Sequence, residues 1–407
     1  MAEEKPKIRP LEVVPVQSGG RQGFLLRDLQ GLAAQEIMIP ADVAFLISQF
    51  DGTHTVREAQ LSYVRRFGTL LTSDRIEKLI EQLDEALLLD SEHFRARRSQ
   101  LEAEFRAQPV RRATHAGKAY EEAAATFVRD WEPLLDAAPL PHDFALDSRR
   151  PLLIAPHYDM RGAAEGYASA YKLLSGIERP DAVIILGIAH SGGETPFVLT
   201  RKSFETPFGA LDPARELVDH LAAAAQFDVF ADEFLHRDEH SIEFQAVMLH
   251  FLYREVEPPA ILPILCGSYH RSGPEVSSPQ ENEAASAFMD ALRDLLASDS
   301  RRVAVIASAD LSHIGARFGD QRSLTQARLE LSRRHDMALL ERVQAGDAGG
   351  LYQVLAQEKD RYNVCGFPAI YALLRVASVT EGRLLSYRQA ADPQTQSCVS
   401  FASVGLR

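Results

Sequence analysis

The sequence predicts an α/β protein, with a mostly parallel central sheet flanked by helices and a small α+β unit ahead of it. Three observations carry that prediction. From Arg149 onward, short apolar runs of strand length alternate with long helical stretches. Before that, about residues 20–92 read in the order strand, strand, helix, helix, helix. At roughly 150 residues per domain, 407 residues allow two or three domains and at least one large core.

In chain order, GFLLRDLQG (23–31) and EIMIP (36–40) form a candidate hairpin. Ala41–Phe50 carries Val43, Ala44, Leu46 and Ile47 at helical spacing and stops at the turn Asp51-Gly52. Val56–Phe67 follows Thr55, a suitable N-cap. Ser73–Leu87 places Ile76, Leu79, Ile80, Leu83, Ala86 and Leu87 on one face. Residues 93–148 open on the charged run HFRARRSQLEAEFRAQPVRR, which reads as a solvated helical linker. They then pass the single tryptophan, Trp131, to the loop APLPHDF. The domains expected are therefore 1–97, a linker and domain start over 98–148, and 149–407. In the last zone the expected strands are Pro151–Ala155, Ala182–Gly187, Ile261–Gly267 and Val303–Ala307. Its expected helices are Ala163–Leu174, Pro213–Ala225, Ser241–Tyr253, Asn282–Ala297, Gln321–Ala345 and Phe367–Val376.

Composition narrows the function classes. Lys and Arg number 44 against 57 Asp and Glu, a net charge of −13. That balance argues against a nucleic-acid partner or an anionic membrane. Three cysteines (Cys266, Cys365, Cys398) exclude a disulfide scaffold and suit a reducing compartment. The charged start MAEEKPKIRPLEVVPVQ has no apolar core of a signal peptide, and no run reaches the roughly 20 apolar residues of a membrane span. A cytoplasmic globular protein is expected.

Ligands of open α/β sheets sit beyond the carboxyl ends of the strands. Just past the expected ends stand His157 and Asp159, then His190 with Ser191-Gly192-Gly193, then Asp310, Ser312 and His313. Asp238-Glu239-His240-Ser241-Ile242-Glu243 enters a helix that Ser241 would cap, with His240 at its positive end. A lone histidine after a strand is usually a capping or surface group. Several at separate strand ends can converge, because neighbouring strands lie about 4.8 Å apart. Neutral imidazoles suit Fe, Zn, Cu or Ni, and nearby carboxylates would orient them. His236-Arg237-Asp238-Glu239-His240 also fits H-x-x-E-H, an inverted zinc-peptidase signature, but needs both histidines on one helix. Gly187, Gly192 and Gly193 form no phosphate-binding motif. Cys365-Gly366-Phe367-Pro368 reads as a helix entry with a buried thiol, structural or reactive.

Eight ordered segments carry a family resemblance: HAGKAYE (115–121), LLIAPHYDMRG (152–162), ILGIAH (185–190), FETPFGALD (204–212), DEHSIEFQ (238–245), ILPILCG (261–267), SADLSHIG (308–315) and CGFPAI (365–370). Through them the region from Arg111 to Arg407 resembles the Memo family, the B protein of AmmeMemoRadiSam systems. Ala119 and Glu121 depart from that family's N-terminal motif. The stretch FDGTHTVREA…IEKLIEQLDEALLL resembles winged-helix and PqqD-like modules.

The resemblance implies the fold of class III extradiol dioxygenases and a non-haem metal site. It implies His157 and His190 as metal ligands, His240 as a ligand or acid/base, and Ser312 at the position of the third ligand. A neutral serine suits that role poorly. Glu243 and His313 are candidate catalytic residues beside His240, and Asp238, Glu239 and Asp310 candidate supports. Two functions follow from it: an Fe(II) oxidoreductase, with Zn or Cu as other metals, or a metal- or peptide-binding partner of radical SAM and AMMECR-like proteins. The substrate would be a small molecule or a peptide.

Overall fold

The computed structural model describes residues 5–407 apart from 19–20, 29, 34–35, 273–274 and 321. The described chain forms two compact units, one ending at Ala107 and the other spanning Gln108–Arg407.

In the first unit, β1 (Glu12–Ser18), β2 (Arg21–Arg27) and β3 (Ile37–Pro40) make an antiparallel sheet in that order. The expected hairpin is the β2–β3 pair, with Leu29 outside the described residues. β1 was hidden because EVVPVQS contains a proline and little alternation. Helices α1 (Ala41–Ile47), α2 (Val56–Phe67) and α3 (Ser73–Glu85) bury Leu46, Ala59, Tyr63, Ile76 and Leu83 in one core with Leu26 and Ile39. Thr55 caps α2 as expected: its hydroxyl accepts the Glu58 N–H at 3.2 Å while Glu58 accepts the Thr55 N–H at 2.8 Å. The charged run is helix α4 (Glu92–Ala107), and it belongs to this unit. The Arg9 guanidinium lies 3.9 Å above the buried Phe94 ring, so part of the helix is anchored rather than solvated.

The second unit opens with β4 (Val110–Arg111) and α5 (Ala124–Ala137), where Phe127 and Trp131 stack at 5.2 Å. Then come β5 (Leu152–Ala155), α6 (Ala164–Ser175), β6 (Ala182–Ile188), β7 (Phe197–Leu199), β8 (Ser203–Thr206), β9 (Gly209–Leu211) and α7 (Arg215–Ala224). They are followed by α8 (His240–Leu252), β10 (Ala260–Cys266), a short hairpin β11 (Arg271–Ser272) and β12 (Glu275–Val276), α9 (Glu283–Ser298), β13 (Val303–Ser308) and β14 (Asp310–Gly315). The chain closes with α10 (Gln326–Gln344), α11 (Ala348–Gln357), α12 (Phe367–Val376), β15 (Gly382–Asp392) and β16 (Ser397–Leu406). Gln321, where α10 was expected to start, lies outside the described residues.

The parallel centre is the expected one, in the order β5-β13-β6-β10. Antiparallel strands extend it on both sides, so the sheet as a whole is mixed. β7 pairs with β10, and β16 pairs with β5, β14 and β15. Alternate residues of the central strands feed two cores. Ile184, Leu186, Ile264 and Val305 face α7, α9 and α12, while Ile185, Leu265 and Ile306 face α6 and α8. Among the described residues no helix is long and apolar enough to cross a membrane.

Candidate metal centre

Three strand ends deliver the site. His157, His190 and Asp310 each stand two residues beyond the last residue of β5, β6 and β13, and these strands are paired neighbours. His157 lies on the floor, 2% exposed. Its N–H donates to Asp310 Oδ1 at 3.0 Å and its Nδ1–H to the Ser308 carbonyl at 3.0 Å, which leaves Nε2 with the lone pair. Cys365 Sγ lies 3.2 Å from that Nε2, and Asp310 Oδ2 lies 3.7 Å from it.

Glu239 organises the other wall. Its carboxylate accepts the His190 N–H at 3.1 Å and the His190 Nδ1–H at 3.0 Å, so the second imidazole also presents Nε2. The same carboxylate accepts the Ser241 N–H at 3.0 Å and lies 3.3 Å from His240 Nδ1. Glu239, rather than Ser241, therefore caps α8, and the helix begins one residue earlier than expected, at His240. Ser241 is used differently: its hydroxyl accepts the Ile188 N–H at 2.9 Å and ties α8 to β6.

The result is a cluster of imidazoles. Ring centroids stand 4.9 Å apart for His157 and His190, 5.3 Å for His157 and His240, and 4.7 Å for His190 and His240. One ligand atom from each lies within 4.8 Å of the others. Three nitrogens bound at about 2.1 Å to a tetrahedral ion stand about 3.4 Å apart, so an approach of the rings by no more than about 1.4 Å closes them on an ion.

Electrostatics prepare the same task. Burial pushes the His157 and His240 imidazoles down, against the pull of Asp310 on the first and of Glu239 on the second. Both stay neutral, the form a metal requires. Burial would lower His190 too, but the charge and hydrogen bond of Glu239 outweigh it and raise its pKa. Burial and the charge of Asp310 hold the Cys365 thiol well above its ordinary range.

The sequence profile of the Memo-like protein family matches residues 111–405, well over half of the chain. The chain belongs to the Memo family. A MEMO1 family protein of Aquifex aeolicus is 28% identical over 404 residues, covering 98% of this chain and 99% of its own length. One from Thermus thermophilus is 28% identical over 86% of this chain and 99% of its own length. A third, from Methanosarcina mazei, is 28% identical over 59% of this chain and 78% of its own length.

Other residues singled out in this Memo-family chain lie elsewhere. Ser312 is not in the cluster: its hydroxyl donates to Asp336 Oδ1 at 2.5 Å, on α10. The side chains beside His157 at the place foreseen for Ser312 are Asp310 and Cys365. Glu243 is fully buried and does not hold His240. It pairs with Arg111 and accepts from Tyr120 Oη at 2.6 Å and from His115 Nδ1 at 3.0 Å. Burial would raise its carboxyl, but Arg111 and then His115 hold it down at about 2. His313 donates from Nδ1 to the Leu311 carbonyl at 3.0 Å and packs its ring 4.9 Å from Phe318; burial lowers it to about 4. Asp159 caps a turn by accepting the Gly162 N–H at 3.0 Å, and Asp238 pairs with Arg237. His236 sits on a separate turn and donates from Nε2 to the Val198 carbonyl at 3.1 Å, so it does not join His240 as a zinc-peptidase pair would.

The residues missed are Arg111, which runs inward to Glu243 and to the Glu239 carbonyl at 2.7 Å, and His115, whose ring lies 5.8 Å from that of His240. His115 stood in the quoted motif HAGKAYE, and that was the available signal.

A pH dependence follows. A raised pKa extends the protonated, non-binding form of His190 to higher pH, so affinity for Co(II) is expected to fall as pH drops through that pKa. His157 and His240, both lowered, do not set the midpoint. Glu239→Gln removes the charge that raises His190 and is expected to move the midpoint of a cobalt titration to lower pH. An unmoved midpoint would assign the control to another group.

Proposed function

We propose that this chain is a transition-metal protein of oxidoreductase type, with Fe(II) held by His157, His190 and His240 and Cys365 as an additional donor. The observation that supports it most is the three-imidazole cluster in which hydrogen bonds fix the tautomer of His157 and His190. Imidazoles with an adjacent anionic donor suit non-haem iron, and a thiol also suits zinc or copper. His240, a candidate acid/base by resemblance, serves as a ligand in this reading because its ring stands 4.7 Å from that of His190.

A bound iron would supply electron exchange and Lewis acidity to a small or peptide substrate. The chain's own residues do the rest. Ser308 and Glu239 orient the rings, and Asp310 holds the His157 backbone. Side-chain exposures of 26% for His115, 29% for His190 and 30% for His240 leave this wall open to an incoming molecule. Kinship with class III extradiol dioxygenases belongs to the same reading.

Elemental analysis tests it. Protein purified without chelator is expected to carry about one transition metal per chain, iron foremost, and His157→Ala to carry about tenfold less. Equal metal in both proteins would remove the proposal.

A second reading is favoured by the separately cored first unit, which the alignment with the Aquifex aeolicus relative extends across. In it the chain presents peptide or protein to a radical SAM enzyme and an AMMECR-like protein in the cytoplasm, the first unit acting as a PqqD-like module. Co-purification of the full chain with such proteins is the expected result, and its absence sinks this reading.

A further inference from the structure

The loop between α11 and α12 is wound in an unusual way. Lys359, Asp360 and Asn363 have φ of 50°, 48° and 49°, left-handed values that residues with a Cβ rarely adopt. Among the described residues five non-glycine positions have positive φ, and three of them fall in this one stretch. Such backbone persists only where its surroundings impose it.

The surroundings do so here. Asp360 is 3% exposed; its Oδ1 accepts the Val364 N–H at 2.9 Å, and its Oδ2 pairs with Arg271. The loop is stitched to β14 on its other side. The His313 N–H donates to the Tyr362 carbonyl at 2.6 Å, Asn363 Nδ2 to the His313 carbonyl at 3.3 Å, and the Gly366 N–H to the Asp310 carbonyl at 3.0 Å. A Cβ on Gly366 would fall 2.3 Å from that carbonyl, so loop and strand pack here with no room for a side chain. Between these fastenings stands Cys365, its sulfur 3.2 Å from His157 Nε2.

We propose that the wound turn 359–363 is a positioning device for the Cys365 thiol, with Asp360, locked by Arg271, as its positioning residue. The proposal rests on the metal reading above and adds the part of the chain that sets the sulfur donor. A relaxed turn would join the two helices equally well. What the strain secures is the direction of residue 365.

Two readouts on the full chain test this. In Co(II)-loaded protein, sulfur-to-cobalt charge-transfer absorption reports the thiolate as a ligand. In metal-free protein, the alkylation rate of Cys365 by iodoacetamide reports its placement without any ion, with Cys365→Ser as the blank. Lys359 is exposed, so its substitution acts through the backbone alone. Lys359→Gly keeps the turn, because glycine accepts positive φ, whereas Lys359→Val opposes it, and both remove the same charge.

Wild type and Lys359→Gly are expected to share a strong cobalt band and slow alkylation. Lys359→Val and Asp360→Asn are expected to lose most of the band, to bind cobalt about tenfold more weakly and to be alkylated about tenfold faster. Unchanged band and unchanged alkylation in folded Lys359→Val overturn the proposal, as does wild type that binds cobalt without the band. Wild type that binds no cobalt, yet shows the alkylation difference, sinks the metal reading and leaves the positioning role standing.

Discussion

Arg111→Met is expected to destabilise the second unit by about 3–5 kcal/mol, the usual cost of leaving one member of a buried ion pair behind. The guanidinium is wholly buried. It donates to the His236 carbonyl at 2.9 Å, to the Arg112 carbonyl at 2.8 Å and to the Glu239 carbonyl at 2.7 Å, and it pairs with Glu243. Methionine fills much of the volume but donates nothing, so the three carbonyls lose this donor and the buried Glu243 carboxylate, still held by Tyr120 and His115, loses its cation. At roughly 2–4 °C per kcal/mol for a unit of this size, calorimetry should show the melting temperature falling by about 10 °C.

The sign of the pH dependence is also set. Glu243 is held at about 2, below its ordinary 4.5. Its contribution is therefore complete above pH 4.5 and fades as pH falls toward 2. Removing Arg111 removes the largest single source of that contribution, so the gap between wild type and variant should narrow on acidification. Adding Glu243→Gln to Arg111→Met should recover part of the loss. A fall of less than about 2 °C would mean that the network is not coupled to folding.

Much of this architecture was legible because it follows periodicity. The four central strands are apolar along their length, since helices cover both faces, and each lies within one residue of its expected bounds. The histidines were legible for a related reason: a strand end can be located, and the residue beyond it faces the crevice. The antiparallel flank was not. β16 is buried throughout, but Ser397, Ser400 and Ser403 interrupt its apolar run, and no alternation marks it. In DLSHIG only site residues past the end of β13 were expected, whereas Asp310–Gly315 is itself a strand that pairs with β16.

That misreading explains the error over Ser312. In a bulged strand, successive side chains do not keep a simple alternation. Asp310 reaches His157 while Ser312 turns to Asp336. Cys365 comes from a segment more than fifty residues further on, and its direction depends on left-handed backbone at Lys359, Asp360 and Asn363, of which only the Asp and Asn are types that favour it. Glu243 and Arg111 are 132 positions apart. Nothing local distinguishes a carboxylate that meets a guanidinium from one that meets an imidazole.

Gly187→Ala is expected to damage stability and metal binding together, although residue 187 touches no ligand directly. In β6 this glycine faces the first turn of α8, and an added Cβ would lie 2.6 Å from both Ser241 Oγ and Ile242 Cγ1. Neither neighbour can yield easily. Ser241 Oγ accepts the Ile188 N–H at 2.9 Å, and the Ser241 carbonyl accepts the Ser308 hydroxyl at 2.6 Å. One turn on, Gln245 Nε2 donates to the Pro156 carbonyl and to Ser308 Oγ, both at 2.8 Å. The methyl must then push the start of α8 away from the sheet, and Glu239 and His240 move with it. Overpacking of this kind costs about 1–3 kcal/mol. Displacing the carboxylate behind His190 should weaken cobalt binding by about 10–100-fold. Gly349→Ala is the control: it has no neighbour closer than 3.7 Å and lies in helix α11, so it should leave cobalt affinity unchanged and the melting temperature equal or slightly higher. Wild-type affinity in Gly187→Ala would show that the α8 end adjusts independently of the sheet, and that the centre does not depend on this close packing.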